Sequence, residues 1–280
     1  MTQEEAVAAE YRKAAAYLAA HPQTGAVCER SGKFRLCARL DETRETFMKN
    51  GPINLLIVGD SVSHGCFGGA RPRDYHAVYH NRLRLMIGET HPNWHVNVVN
   101  LSVGGECAKT MLPLFSEGLT NYQPTLVILC FGLNDVNGSL EDYVNPLRQM
   151  FTACRDAGAD CIFLTPNMLN TYYSEYTYNF NEYAHKTAEM QTSGRMDAYI
   201  DAAKATAAEC GAAVCDAYGV WKELYAAGVD TTLLLVNFIN HPTREMHALF
   251  ASMLYQTIFG EPFSATVPSF ADEGMKGGIR

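Results

Sequence analysis

What the chain lacks narrows the field first. No apolar run among its 280 residues approaches the roughly 18 needed to cross a bilayer as a helix. Lys and Arg number 22 against 30 Asp and Glu, a net charge of −8, and no basic run occurs. A nucleic-acid or anionic-membrane surface is therefore not expected. The opening MTQEEAVAAEYRKAAAYLAAHP is acidic at the front. It has neither the basic start nor the apolar centre of a secretion signal. No CxxC pair occurs among the nine cysteines, which are odd in number and scattered. Several sit in apolar runs, such as Cys130 in LVILCFG and Cys161 in DCIFL. They read as small buried hydrophobes in a reducing cytosol, and no pairing of Cys28 with Cys37 is assigned. HExxH and GxxxxGK[ST] are also absent, so no metal and no nucleotide cofactor is expected.

What is present is an ordinary globular composition, 48% apolar and 19% charged, in a chain long enough to bury a large core. Residues 3–20 predict a helix, and residues 21–50 carry no clear period. From residue 53 apolar runs recur, at 53–58, 95–99, 125–130, 160–165 and 212–215. Helical stretches lie between and after them, at 75–88, 107–119, 140–157, 181–209, 217–227 and 243–258. The last carries a stripe of Met246, Leu249, Phe250, Met253, Leu254 and Ile258, at helical spacing. This alternation predicts βαβ units and a doubly wound parallel sheet of about five strands. Right-handed crossovers bring the carboxyl ends of the strands to one edge, where ligands bind. Residues 1–50 read as an extension packed on a main domain at 51–262, with a tail at 263–280.

Four polar interruptions fall on that edge. The run INLLIV stops at Gly59-Asp60-Ser61; the second leads into NLSVGGECAKT, the third into FGLNDVNG, and LVNFINHPT precedes the last helix. Ser61 offers a hydroxyl at a strand-to-helix turn. Gly105 offers an unobstructed backbone N–H, Asn134 an amide donor and His241 a base. Converging, these are the parts of a serine nucleophile with an oxyanion hole.

The four segments together resemble the four blocks of the SGNH, or GDSL-like, hydrolase family. Gly59-Asp60-Ser61 is similar to its nucleophile block, Asn100 to Gly105 to its glycine block, Gly132 to Asp135 to its G-x-N-D block, and His241-Pro242 to its histidine block. They occur in family order. The resemblance implies a flavodoxin-like three-layer α/β/α sandwich with a parallel sheet and esterase or lipase-type chemistry. It makes Ser61 the nucleophile, His241 the base, and the Ser61 N–H, the Gly105 N–H and Asn134 the oxyanion donors. One feature departs from the pattern. The family places an aspartate three residues before the histidine, where this chain has Phe238. Asn237 stands one residue earlier and is the candidate third member, with Asp230 or a backbone carbonyl as alternatives.

Each residue also has a plainer reading. Ser61 alone would be a helix cap, and Asn134-Asp135 a turn. His64 is a rival base. His76 and His80 form an i, i+4 pair, read as a solvated helix face rather than a metal pair, and His247 as exposed or packed. The glycine-rich stretch 65–72 reads as a loop bordering the pocket. Residues 172–183, with five tyrosines, read as substrate contacts or as a packed surface loop. The expected activity is hydrolysis of a short acyl ester, acetyl above all, on a small molecule or carbohydrate through an acyl-enzyme on Ser61. Lipase, thioesterase or acyltransferase chemistry on the same site, and a binding protein that keeps only the fold, are the alternatives.

Overall fold

A computed structural model gives the fold; the structure describes residues 2–21, 33–68, 73–177 and 181–264. Five short strands make one parallel sheet: β1 (Ile53–Gly59), β2 (Val96–Asn100), β3 (Leu126–Cys130), β4 (Asp160–Leu164) and β5 (Ala213–Cys215). Their order across the sheet is β2-β1-β3-β4-β5. The three central strands are almost wholly buried, as a sheet covered on both faces requires. The chain steps outward from β1 to β2, then crosses back to β3. The direction of winding thus reverses between β1 and β3, and crevices form at such a reversal.

The helices are α1 (Gln3–Ala20), α2 (Arg35–Leu40), α3 (Arg44–Asn50), α4 (Ser61–His64), α5 (Tyr79–Thr90), α6 (Ala108–Tyr122), α7 (Leu140–Asp156), α8 (Asn181–Thr192), α9 (Arg195–Cys210), α10 (Ala217–Ala226) and α11 (Arg244–Phe259). Helices α5 and α11 pack together on one layer, α6, α7 and α9 on the other. The architecture is a three-layer α/β/α sandwich.

Two expectations are corrected. Residues 181–209 are not one helix: the chain breaks after Thr192, and Gly194 adopts φ 80° before α9 starts. Its left-handed backbone is one that glycine adopts without a Cβ penalty. Within 21–50, the described part forms the short helices α2 and α3. Phe34, Leu36 and Leu40 are buried in the same core as the sheet. Arg35 reaches across to Gly158 and Asp160 at the start of β4. Cys37 is a free thiol against the Ile258 carbonyl, whereas Cys28 lies outside the described residues.

Candidate active site

β1 delivers Ser61 to the sheet edge through a turn with no spare room. A Cβ on Gly59 would lie 2.6 Å from the Cys130 carbonyl and 2.5 Å from Ser63 Oγ. Glycine is what allows β1 to run so close to β3 and then turn. Asp60 caps α4 by accepting the Val62 N–H at 2.9 Å. Its second oxygen is buried without a partner, and burial pushes the carboxyl up to about 7 despite that hydrogen bond. Ser61 is therefore not the cap; Asp60 is. The hydroxyl of Ser61 is left for His241, whose Nε2 lies 2.8 Å from Ser61 Oγ across 180 residues of sequence.

The donors converge on the same edge. The N–H groups of Ser61 and Gly105 have no acceptor among the described residues. Gly105 sits at φ 88°, a conformation that turns the chain into α6 and that a side chain would strain. A Cβ built on Gly104 would lie 3.6 Å from Ser61 Cβ, so the glycine turn passes beside Ser61. Asn134 donates one amide hydrogen to the Glu106 carbonyl at 2.9 Å, which ties it to that turn and leaves its second hydrogen. Asp135 locks the turn from below. Its two oxygens accept from Ala108 N–H at 2.8 Å and Gly132 N–H at 2.9 Å. Burial raises its carboxyl to about 6.

His241 is held by its loop. Leu235 and Pro242 form a bridge, and Val236 N–H donates to the His241 carbonyl at 2.7 Å. Inside the loop, Asn237 Oδ1 accepts from the backbone N–H groups of Ile239, Asn240 and His241 at 2.9–3.1 Å. Asn237 therefore meets His241 through its main chain, not its ring. The ring's Nδ1 has no hydrogen bond among the described residues. Asp230 is turned elsewhere, accepting from Tyr172 Oη at 2.7 Å and Thr232 N–H at 3.1 Å. Phe238, at the position of the family's aspartate, takes a left-handed φ of 56° and buries its ring against Ala6, Leu233 and Tyr176. With no carboxylate beside it among the described residues, burial lowers the His241 pKa to about 4. The imidazole is neutral at pH 7.

Two pins were not read as such from sequence. Asn167 donates to the Asn240 carbonyl at 2.9 Å, and Asn170 N–H to the Ile239 carbonyl at 2.8 Å. Both follow β4, and the polar TPN at its end was the visible signal.

The rival histidines have other duties. His64 Nδ1 accepts the Gly104 N–H at 3.1 Å, which holds the glycine turn and occupies that nitrogen. His76 and His80 do not share a solvated helix face: only His76 is exposed. His76 precedes α5, and His80 is 4% exposed, with Nε2 3.0 Å from the Ser63 carbonyl. Among the described residues no cluster of three metal-ligating side chains occurs. His247 is packed, its Nδ1 accepting the Tyr79 N–H at 3.2 Å. Of the tyrosines, Tyr172 bonds Asp230, Tyr173 stacks on His185 and Tyr176 packs on Phe238. Residues 178–180, and 69–72 of the glycine-rich loop, lie outside the described residues.

A nucleophile bonded to a neutral base, with open N–H donors beside it, can carry out acyl transfer. The comparisons agree in kind. The model of the GDSL-like lipase/acylhydrolase family matches residues 57–249, and the chain belongs to that family. It is a hydrolase acting on ester bonds. Its fold is similar to that of an acetylxylan esterase from Geobacillus stearothermophilus, at 18% identity and a TM-score of 0.59, covering 77% of this chain and 97% of that one. It is also similar to an alpha/beta hydrolase enzyme from the metagenome of Lake Arreo, Spain, at 19% identity and a TM-score of 0.57, covering 74% and 94%. No curated protein matches the chain. Among the described residues no helix is long and apolar enough to cross a membrane.

Proposed function

We propose that the chain hydrolyses short acyl esters, acetyl above all, on a carbohydrate, through an acyl-enzyme on Ser61. Ser61 Oγ attacks the ester carbonyl carbon while its proton passes to His241 Nε2. The oxyanion is held by the N–H groups of Ser61 and Gly105 and by the Asn134 amide. Collapse breaks the ester bond, and the proton on His241 goes to the departing alkoxide. Water, deprotonated by the same imidazole, then releases the acid and frees Ser61. The base works as a dyad with Ser61, while Asn237 positions it through the backbone.

The observation that carries this reading is the 2.8 Å contact between Ser61 Oγ and His241 Nε2 at the sheet edge. A structural neighbour, the acetylxylan esterase from Geobacillus stearothermophilus, supports the acetyl and carbohydrate parts. The eight free thiols among the described residues support a reducing compartment such as the cytosol. A fluorophosphonate probe tests the nucleophile: it should label the wild type and not Ser61→Ala. p-Nitrophenyl acetate should be hydrolysed faster than the octanoyl ester. Equal labelling of both proteins, or faster cleavage of the long acyl chain, would sink the proposal.

A further inference from the structure

The loop between β2 and α6 carries four consecutive backbone N–H groups whose partners differ in kind. Val103 N–H donates to the Gly59 carbonyl at 3.1 Å, and Glu106 N–H to the Val103 carbonyl at 3.3 Å. Between them Gly104 N–H donates to His64 Nδ1 at 3.1 Å, and Gly105 N–H has no acceptor among the described residues. Main-chain acceptors come with any sequence. The acceptor for Gly104 exists because residue 64 is a histidine.

A pair of glycines needs such an anchor. Without a Cβ, local sterics leave Gly104 and Gly105 a wide choice of backbone angles. An oxyanion donor, in contrast, works only when held within about 0.5 Å and about 10–20° of its productive direction. The anchor also has a firm footing. Ser61 and His64 are the first and last residues of α4, a single turn pinned along its length. His64 N–H donates to the Asp60 carbonyl at 2.9 Å and Gly65 N–H to the Val62 carbonyl at 3.1 Å. Asn100 Nδ2 donates to the Ser63 carbonyl at 2.9 Å, while its Oδ1 accepts the Ser102 N–H at 3.0 Å. One turn therefore carries Ser61 and grips the residue before Gly105.

The bond also sets where the ring keeps its proton. A backbone N–H can only donate, so in the neutral ring Nδ1 bears the lone pair and Nε2 the proton. Desolvation, and after it the charge of Arg73, holds the His64 pKa below the ordinary histidine value. The acceptor is thus in place at pH 7. A nitrogen committed to Gly104 is not open to Ser61, whose hydroxyl is bonded to His241 instead.

We infer that His64 is a positioning residue for the oxyanion hole, aiming the Gly105 N–H at the Ser61 site by accepting the Gly104 N–H. The inference rests on the serine-hydrolase reading of that site and adds what orients one of its donors. The test compares wild type, His64→Ala and His64→Asn. Asparagine Oδ1 stands on the same Cγ as histidine Nδ1, so His64→Asn keeps the acceptor but cannot act as a base. Steady-state kinetics use p-nitrophenyl acetate. Inhibition by a trifluoromethyl ketone, which adds to the serine as a tetrahedral oxyanion, is measured in parallel. His64→Ala should lower kcat about tenfold to a hundredfold with little change in KM, and weaken the ketone by a similar factor. His64→Asn should recover most of both. Long-range proton–nitrogen NMR correlations of the wild-type His64 ring should place its proton on Nε2. A proton on Nδ1, a loss confined to KM, or an Asn variant as impaired as Ala would overturn the role. Full activity in His64→Ala would overturn the role alone. A wild type that neither cleaves the ester nor binds the ketone would remove the hydrolase reading and the role with it.

Discussion

In the proposed mechanism His241 works without a carboxylate beside its ring among the described residues. In a triad a buried carboxylate raises the basicity of the imidazole and balances the charge it gains. Here packing lowers the ring to about 4 with nothing to offset it. The sign is straightforward: the neutral, competent form predominates above that value, and protonation removes it below. The acid limb of kcat/KM on an acetyl ester should therefore fall near pH 4, well under the ordinary histidine value of about 6.5. A pH–rate profile with its acid limb near 6.5 would mean that a negative charge reaches the ring. Asp60 and Asp135 shift the other way, raised by burial. Each favours its protonated form in the folded state, so each costs stability as pH rises through its folded value.

At the scale of elements, the loop that carries His241 leans on a helix far away in sequence. Ala6 and Val7 of α1 pack with Leu233 and Phe238, and Glu10 accepts the Asp230 N–H at 2.9 Å. The first helix thus backs the strained Phe238, whose left-handed backbone is rare for a bulky residue. Ala6→Glu should lower kcat about tenfold or more with little change in KM, since a displacement of about 1 Å at a catalytic group costs up to a hundredfold. Steady-state kinetics with p-nitrophenyl acetate check this; a change confined to KM would refute it. Asn237 acts at the same scale. Asn237→Ala strips the acceptor from three backbone N–H groups and should cost about 1–3 kcal/mol of stability, read by urea denaturation. Asn237→Asp, which keeps the acceptor, should recover most of it.

These particulars show what sequence could and could not convey. Ser61, Gly105, Asn134 and His241 stood out because polar residues stopped apolar strands, and strand ends share an edge. The sheet was legible for the same reason. Asn237 stood out in the sequence, but its contact did not, because capping three N–H groups depends on how a short loop closes. His80 was misjudged because helical spacing gives a face without saying what covers it; Ser63 does. The break at Gly194 was hidden by helix-favouring neighbours on both sides. Nothing local in residues 3–20 pointed to a partner more than two hundred residues away.

Across the whole molecule, the amino-terminal segment shares its core with the sheet. Ala14, Phe34, Leu36 and Leu40 lie in the same buried cluster as β1 and β3. α2 and the sheet should open in one cooperative step. Native-state hydrogen exchange should give α2 amides a protection close to that of β3; exchange of α2 at a much lower free energy would mark the segment as a separate unit.

The bare ring of His241 has one more consequence, in the balance between taking and giving a proton. An imidazole of low pKa is a weak base, but the imidazolium it becomes is a strong acid. In the proposed mechanism, drawing the proton from Ser61 is then the harder half of the exchange, and handing it to a departing alkoxide the easier. A sugar alkoxide, a poor leaving group on its own, would leave with its proton already supplied. Acylation rates should accordingly depend little on how acidic the departing alcohol is, so a sugar acetate would lose less to an activated aryl ester than chemical reactivity alone dictates.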